Sequence, residues 1–466
     1  MTIRTRPYAY QKEGVRLIHH KFNGRALLGD DMGLGKSLQA IMYKDRYVQG
    51  GPTIIVCPPG LKWQWQAQLS EHAGLRSEVL EGMKPPIHTP MNYRPAGTFI
   101  IGFDCLGDPK KEGTWLRFLK KMKPKLIIGD EIHMIQNRNT IRSRAVVNLC
   151  KGVKKIILMS GTPATSFPAQ LFPAIHILDP ETFPSFRSFA FEFCDPKKNH
   201  WGWTFNGCVK PKKLNRLLRA NVLIRRQKKD VLKDLPAKVQ SVIPVDIKRR
   251  KEYVLAEKDL ISWLIKNNMK RQAFSAMSAE RLVRFGYLKR LASELKMDEV
   301  ISWIREFLTS GKKLIIFGIH KARLKELREA FPGISVIVDG SVTGHKRQLA
   351  VDAFNKDKKI RLFLGNVDAA GVGWSCTSAS DVMFFELPWT PGKVVQASDR
   401  IHGIGRGIAG RQAFVHFLVA HGTIEELLVK ILHNKAKNLT RIFDGKDSVK
   451  DMNVLDLMDK AILGRK

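Results

Sequence analysis

The run Asp30-Asp31-Met32-Gly33-Leu34-Gly35-Lys36-Ser37 follows the apolar Ala26-Leu27-Leu28 and opens a segment of helical pattern from Ser37 to Tyr43. Glycines let backbone amides approach phosphate oxygens, a lysine supplies a point charge to terminal phosphates, and a serine hydroxyl can ligate Mg²⁺. The run therefore reads as a phosphate-binding loop, with Asp30 where the usual fingerprint has its first glycine. Gly-Lys-Ser alone also occurs in ordinary turns. Phosphate chemistry needs a second group that holds the metal and polarises water. Asp130-Glu131-Ile132-His133 closes the apolar run Leu126-Ile-Ile-Gly129, at the strand end where ligands collect on a parallel sheet. Asp130 would bind the metal through water and Glu131 would orient or deprotonate the attacking water; two acids in such a place also cap helices. A cation is wanted on the transferred phosphoryl group in the transition state. Arg400, in Gln396-Ala-Ser-Asp399-Arg400-Ile-His402-Gly403-Ile-Gly405-Arg406, offers one, and an ion pair with Asp399 is the alternative use of that arginine.

Such groups need strands to hold them. Short β-branched runs recur at Thr53–Cys57, Thr98–Ile101, Lys125–Gly129 and Lys155–Met159, separated by longer stretches of helical period. That rhythm predicts βαβ units and a parallel sheet. It restarts at Lys313–Phe317 and continues through Ser335–Val338, Ile360–Leu364, Asp381–Phe385 and Gln412–His416. The expected organisation is α/β, with two parallel-sheet lobes in tandem: residues 1–165, helical protrusions with a basic linker at 166–297, a second lobe at 298–440, and a helical tail at 441–466. Apolar residues from Ile424 to Ile442 keep helical spacing and predict a long helix across that last boundary.

Charge narrows the partners. The 466 residues carry 79 Lys plus Arg against 43 Asp plus Glu, a net charge of +36, and such a surface seeks polyanions, nucleic acid first. From Lys210 to Lys238 eleven Lys and Arg face two Asp, which predicts contact with phosphate backbones in place of a merely solvated helix face. Six scattered cysteines, Cys57, Cys105, Cys150, Cys194, Cys208 and Cys376, have neither disulfide nor zinc spacing and read as reduced thiols. The apolar runs are too short to span a bilayer, so a soluble intracellular protein is expected.

The order of motifs resembles the SWI/SNF-like branch of helicase superfamily two, over nearly the whole chain. Gln11 in Tyr10-Gln11-Lys12-Glu13-Gly14 looks like the family's adenine-reading glutamine. The loop Asp30 to Ser37 is similar to that branch's own phosphate loop, in which an acidic residue is usual at the Asp30 position. Val56-Cys57-Pro58-Pro59 with Leu61-Lys62-Trp63-Gln64-Trp65 resembles the segment that touches nucleic-acid backbone, and Ser160-Gly161-Thr162-Pro163 the motif that links hydrolysis to strand movement. Arg225-Arg226 with Lys228, Asp230-Val231-Leu232, Leu235-Pro236 and Lys238 resembles a signature between lobes. Asp339-Gly340-Ser341, Ala369-Ala370-Gly371-Val372-Gly373, Pro388-Trp389 and Asp399-Arg400 follow in family order. The resemblance implies two RecA-like lobes, ATP and Mg²⁺ as cofactors, and DNA-stimulated hydrolysis coupled to translocation on duplex DNA. It implies nucleotide contacts by Gln11, Met32, Gly33, Leu34, Gly35, Lys36, Ser37, Gly371 and Arg400, with Ser37 and Asp130 on the metal. Backbone contacts would come from Lys62, Trp63, Ser160, Thr162, Trp374 and Ser375, and coupling from His133 and Gln396; Trp63 and Trp374 read equally as core aromatics. The family normally has a second arginine where this chain has Gly403, which leaves either Arg406 to reach back to the phosphate or Arg400 as a single finger, and points to slow hydrolysis.

Ser160 to Leu171, Phe193-Cys194-Asp195 and Trp201-Gly-Trp203 look most like the annealing-helicase and fork-remodelling subgroup. Tyr10 already lies in the first motif and little follows the tail helix, so accessory modules are expected to be missing and chromatin remodelling is the less expected use. The resemblance points to a compact phage or bacterial motor, acting as a monomer in the cytoplasm on double-stranded or branched DNA, with no membrane contact. A strand-separating DNA or RNA helicase and a nucleotide-gated binder with little turnover stay open as alternatives.

Overall fold

A computed structural model describes residues 3–85, 97–199, 202–232, 238–259, 281–342, 344–367, 378–401 and 412–445, through the backbone alone at 281–284, 344–345 and 400. The chain divides into two compact units, Met1–Leu235 joined by Lys437–Ser448, and Pro236–Ala436 joined by Val449–Lys466.

In the first unit the strands are β1 (Arg25–Leu28), β2 (Thr53–Cys57), β3 (Glu78–Val79), β4 (Thr98–Gly102), β5 (Leu126–Asp130), β6 (Lys155–Met159), a hairpin of β7 (Lys197–Asn199) with β8 (Gly202–Thr204), and β9 (Leu223–Ile224). Seven of them form one sheet in the order β3-β4-β2-β5-β6-β1-β9. Each of its pairings is parallel. β2 is buried at all five positions, because helices on both faces leave no side of a central parallel strand to water. The core gathers Ile54, Val56, Ile127, Ile156 and Leu158 from the sheet with Trp115, Leu149 and Ile175 from the helices around it.

In the second unit β10 (Val239–Val245), β11 (Leu314–Gly318), β12 (Ser335–Val338), β13 (Leu362–Asn366), β14 (Asp381–Phe384) and β15 (Phe414–Ala420) form a second parallel sheet, ordered β10-β15-β14-β11-β13-β12. Its two faces carry separate clusters, one around Phe317, Phe363 and Phe384 and the other around Ile316, Leu364 and Met383. The alternation of side chains along one strand therefore feeds both faces.

The stretch 166–297, expected as helical protrusions and linker, also supplies β9 and β10, one strand to each sheet. Both lie at sheet edges, where a strand needs no continuous apolar run, and Pro244 sits in β10 because an edge strand tolerates a missing donor. The helix predicted from Ile424 onward runs Ile424–Asp444. Among the described cysteines all five are free thiols, Cys57, Cys150 and Cys194 being buried. No helix among the described residues is long and apolar enough to cross a membrane.

One buried ion pair fastens the second unit. Lys296 Nζ lies 2.6 Å from Glu425 Oε2, with side chains 0% and 1% exposed, and also donates to the Leu418 carbonyl at 2.9 Å. Removing one partner leaves an uncompensated buried charge. Glu425→Leu is expected to cost roughly 3–5 kcal/mol in denaturant unfolding of this unit, and adding Lys296→Met to recover most of the loss. Equal midpoints for the single variant and the native chain would contradict this.

Candidate functional site

The phosphate loop is the turn between β1 and the helix Lys36–Tyr47, at the C-terminal edge of the first sheet. Register sets Leu28 beside Met159 and Met159 beside Asp130, so the loop, the Ser160 turn and the Asp130-Glu131 turn leave from neighbouring strand ends. Gly33 and Gly35 have φ of +83° and +70°, a region that favours residues without Cβ. At Gly35 a Cβ would also stand 2.4 Å from Gln11 Nε2. Lys36 Nζ turns into the loop and donates to the carbonyls of Asp30 at 2.8 Å and Asp31 at 3.2 Å. Gln11 is buried: Oε1 accepts the Tyr8 amide at 3.0 Å and Nε2 donates to the Leu34 carbonyl at 3.1 Å, which also accepts the Tyr10 hydroxyl at 3.0 Å. This glutamine is thereby fixed against Leu34 and Gly35 at the end of the loop. Ser37 lies in the first turn of the helix, and Met32 and Gly33 are partly exposed at the crest.

The acidic residues of the loop are structural clamps. Asp30 is 0% exposed, and its carboxylate receives the Arg226 guanidinium at 2.7 and 3.0 Å, the Arg226 amide at 3.0 Å and the Gln39 amide group at 3.0 Å. Asp31 Oδ1 lies 2.7 Å from Arg225 Nη1, and its Oδ2 accepts the Lys228 amide at 2.9 Å. Arg225 also donates to the Gly29 carbonyl at 2.7 Å and pairs with Asp444 at 2.9 Å. Arg225 and Arg226, counted in the basic run expected to meet phosphate backbones, are thus committed internally. That corrects the expectation for these two residues, because carboxylates far upstream in the chain neutralise them. Lys213 of the same run pairs with Glu192 at 2.5 Å.

Asp130 Oδ2 accepts the indole N–H of Trp65 at 2.9 Å, and Oδ1 accepts the Glu131 amide at 2.9 Å. Burial first, then the neighbouring Glu131 carboxylate, lifts the Asp130 carboxyl to about 6, against the Trp65 bond and the charge of Lys36. A divalent cation would return that group to its ionised form. Ser37 and Asp130, with waters and substrate phosphates, make the sparse oxygen set that suits Mg²⁺, so these residues fit the ion. Glu131 has φ 50° and ψ 52°, a conformation that costs a non-glycine residue on the order of 1–3 kcal/mol. Its Oε2 accepts the Ser160 hydroxyl at 3.2 Å, while His133 Nδ1 lies 3.2 Å from that same oxygen and 3.2 Å from Ser160 Oγ. The Thr162 amide donates to Ser160 Oγ at 3.2 Å. Two turns therefore aim one carboxylate. Gly161 makes room for the loop, since a Cβ there would be 2.4 Å from Met32 Cγ and 3.5 Å from Lys36 Nζ.

Of the residues expected to touch a nucleic-acid backbone, Ser160 is 0% exposed and gives its hydroxyl to Glu131, which removes its side chain from any surface contact. Lys62 is 9% exposed, donates to the Leu80 carbonyl at 3.2 Å and lies 4.0 Å from Glu81, so it too is turned inward. Trp63 is 56% exposed; the core aromatic of this segment is Trp65, at 1%. Thr162 is partly exposed. In the second unit Gln396 is buried in the helix Pro391–Ser398, and Asp399 accepts Lys238 Nζ at 2.9 Å, so the acid beside Arg400 has a cation other than that arginine. The Arg400 side chain, Gly371, Trp374, Ser375 and Arg406 lie outside the described residues.

Trp65, Gln39 and the pairing of Arg225 and Arg226 with the loop had no local signal that named their partners. The same holds in the second unit for Glu386, which is buried beyond β14 and accepts the His320 amide at 2.9 Å as well as the His320 ring and the Ile319 amide. Burial raises its carboxyl, yet the bonds and charge of His320 outweigh that and hold it down to about 2.

The Ser160–Glu131 bond predicts a kinetic signature. If the site hydrolyses a nucleoside triphosphate, Ser160→Ala, which releases the carboxylate from its aim, is expected to lower kcat roughly tenfold with little change in KM. A pure rise in KM in steady-state assays would contradict the positioning role.

The family model described as SNF2-related domain matches residues 10–294, and the one described as helicase conserved C-terminal domain matches residues 296–405. The chain is 32% identical over 440 residues to the SWI/SNF-related matrix-associated actin-dependent regulator of chromatin subfamily A-like protein 1 of Xenopus laevis, covering 92% of this chain and 43% of that protein. It is 30% identical over 449 residues to the human DNA annealing helicase and endonuclease ZRANB3, covering 93% of this chain and 40% of that protein. The chain thus spans less than half the length of these two relatives. The solved SWI2/SNF2 ATPase core of Sulfolobus solfataricus in complex with dsDNA aligns with a TM-score of 0.44 at 23% identity, over 98% of this chain and 97% of that one. By the extent of the first family match, over a phosphate loop and an acidic turn on neighbouring strand ends, the chain belongs to the SNF2-related domain family.

Proposed function

We propose that this chain is a DNA-dependent ATPase that tracks along double-stranded DNA and remodels or reanneals branched DNA. The observation that carries the reading is the convergence of Lys36, Asp130 and Glu131 at adjacent strand ends, with Glu131 aimed by Ser160 and His133. The net charge of +36 and the annealing-helicase name of the human relative support DNA as the partner.

In this reading Gln11 reads the adenine edge, the amides of Met32 to Gly35 and the Lys36 ammonium hold the phosphates, and Glu131 orients the attacking water and takes its proton. Bound Mg²⁺, held through Ser37 and Asp130, would neutralise charge on the phosphates. By the resemblance Gly371, Arg400 and Arg406 are nucleotide contacts as well, and Gly403 in place of a second arginine slows turnover. Trp63, Thr162, Trp374 and Ser375 touch the DNA backbone. The link from Glu131 through Ser160 to Thr162 carries the state of the nucleotide toward the DNA, with Gln396 its counterpart in the second unit. The motor acts as a monomer.

ATP hydrolysis measured with no DNA, with duplex and with forked DNA tests this. The native rate is expected to rise on adding DNA and the stimulation to weaken with salt, log affinity falling by about 0.9 per neutralised phosphate per log unit of salt. Lys36→Ala and Glu131→Gln should abolish turnover, and Arg400→Ala should lower kcat more than Arg406→Ala. A native rate indifferent to every DNA would overturn the reading.

A further inference from the structure

At the edge of the first sheet opposite the phosphate loop, a cavity of about 560 Å³ is lined by Lys120, Lys123, Lys125, Lys151, Lys154 and Lys155 over an apolar floor that includes Val48, Leu149 and Val153. Among the described residues no carboxylate lines it. Lys125 and Lys155 stand at the N-terminal ends of β5 and β6, whereas Asp130 closes β5, so at about 3.3 Å per residue the hollow lies roughly 15 Å from the catalytic edge. Lys120 donates to Asn148 Oδ1 at 2.9 Å and Lys155 to the Tyr47 carbonyl at 2.5 Å, and neither acceptor is charged. Two helices, Trp115–Lys121 and Ile141–Cys150, end here. Their dipoles bring about half a negative charge each, which six ammonium groups exceed several-fold. Like charges gathered round a hollow with no counter-charge in its wall repel one another, and an anion is what relieves that repulsion.

The cationic surface continues. Lys151 also lines a second cavity of about 390 Å³, where Lys110, Arg138 and Arg144 outnumber the one carboxylate, Asp108, beside Phe172 and His176. Arg138 lies over the Phe186 ring at 4.0 Å, and Phe186 begins a ladder of rings through Phe205 at 5.4 Å and Phe191 at a further 5.8 Å to Trp203 at 4.9 Å from Phe191. The ladder ends in water: Phe191 is 39% exposed and Trp203, on the β7–β8 hairpin, is 49% exposed, with Arg187 over Phe191 at 5.8 Å. Cationic hollows of nucleotide size followed by exposed rings are the combination that holds single strands, phosphates on the lysines and unpaired bases on the aromatics. Lysines serve the phosphates of either form, but a rigid duplex keeps its bases stacked inside and has no use for the rings.

We infer that the first unit carries a second nucleic-acid site, for a single strand, running from the lysine hollow past Lys151 and Arg138 to a stacking platform at Phe191 and Trp203. It rests on the proposed function only for the choice of nucleic acid as the polyanion. Such a site would hold the unpaired strand of a branch while the motor follows the duplex.

Fluorescence anisotropy with a labelled oligothymidylate of about 20 nucleotides tests the inference on the full chain. Lys151→Glu with Lys154→Glu is expected to weaken binding at least tenfold and to reduce the salt slope by about 0.7 for each phosphate that the variant no longer neutralises. Trp203→Ala is expected to weaken binding roughly tenfold with the salt slope unchanged. Lys151→Gln with Lys154→Gln should give a smaller loss in the same direction, and thermal melts should show all variants folded. Native-like binding by either the lysine or the tryptophan variant overturns the inference, as does full competition by inorganic tripolyphosphate at equal charge, which would mark a pocket for compact anions. Duplex-stimulated ATP hydrolysis, measured on the native chain alongside, separates the outcomes: its absence would sink the motor reading and leave the single-strand result to stand or fall by itself.

Discussion

The buried pairing of Asp30 with Arg226 is the contact on which the first unit's chemistry depends. A phosphate loop is only as useful as the fixed direction of its amides, and this one is tied down at its first residue by a carboxylate that water never reaches. The arginine that holds it comes from just beyond β9, the edge strand that pairs with β1. Asp31 and Arg225 repeat the tie one residue on. Breaking a buried pair by removing one member costs roughly 3–5 kcal/mol, because the other charge is left without a partner or solvent. The clamp thus couples the loop's shape to the strand that closes the sheet.

Behind the clamp the parallel sheet does the rest. Parallel strands place all their C-terminal ends on one edge, and three adjacent ends here deliver the loop, the Asp130-Glu131 turn and the Ser160 turn side by side. Glu131 sits in a left-handed conformation and is held there by Ser160 and His133, so its direction is set before any substrate arrives. Backbone strain stored at such a carboxylate persists because the surrounding turns over-determine it. The opposite edge of the same sheet, crowded with lysines, is left for a different task.

Much of this was legible in the sequence. Fully buried parallel strands are short unbroken apolar runs, so β2, β4, β5 and β6 declared themselves, and the phosphate loop and acidic turn follow from residue types that do little else at such places. What was not legible depends on partners far apart in the chain. Lys62 and Ser160 carry polar groups that a linear reading assigns to a ligand, whereas the fold gives them to Leu80 and Glu131. Arg225 and Arg226 looked like part of a basic face until the loop's own acids neutralised them. Trp63 and Trp65 are indistinguishable by composition; only helix phase sends one to solvent and the other to Asp130. β9 and β10 were hidden because edge strands lack the apolar continuity by which central ones are found.

Titration calorimetry of Mg²⁺·ATP against Asp30→Gly reads whether the buried clamp shapes the loop. The substitution restores the glycine of the general phosphate-loop fingerprint while taking from Arg226 its carboxylate and leaving it Gln39 and the Tyr10 carbonyl. If the clamp shapes the loop, affinity falls by at least roughly tenfold although the chain stays folded. Native affinity in that variant would contradict the account.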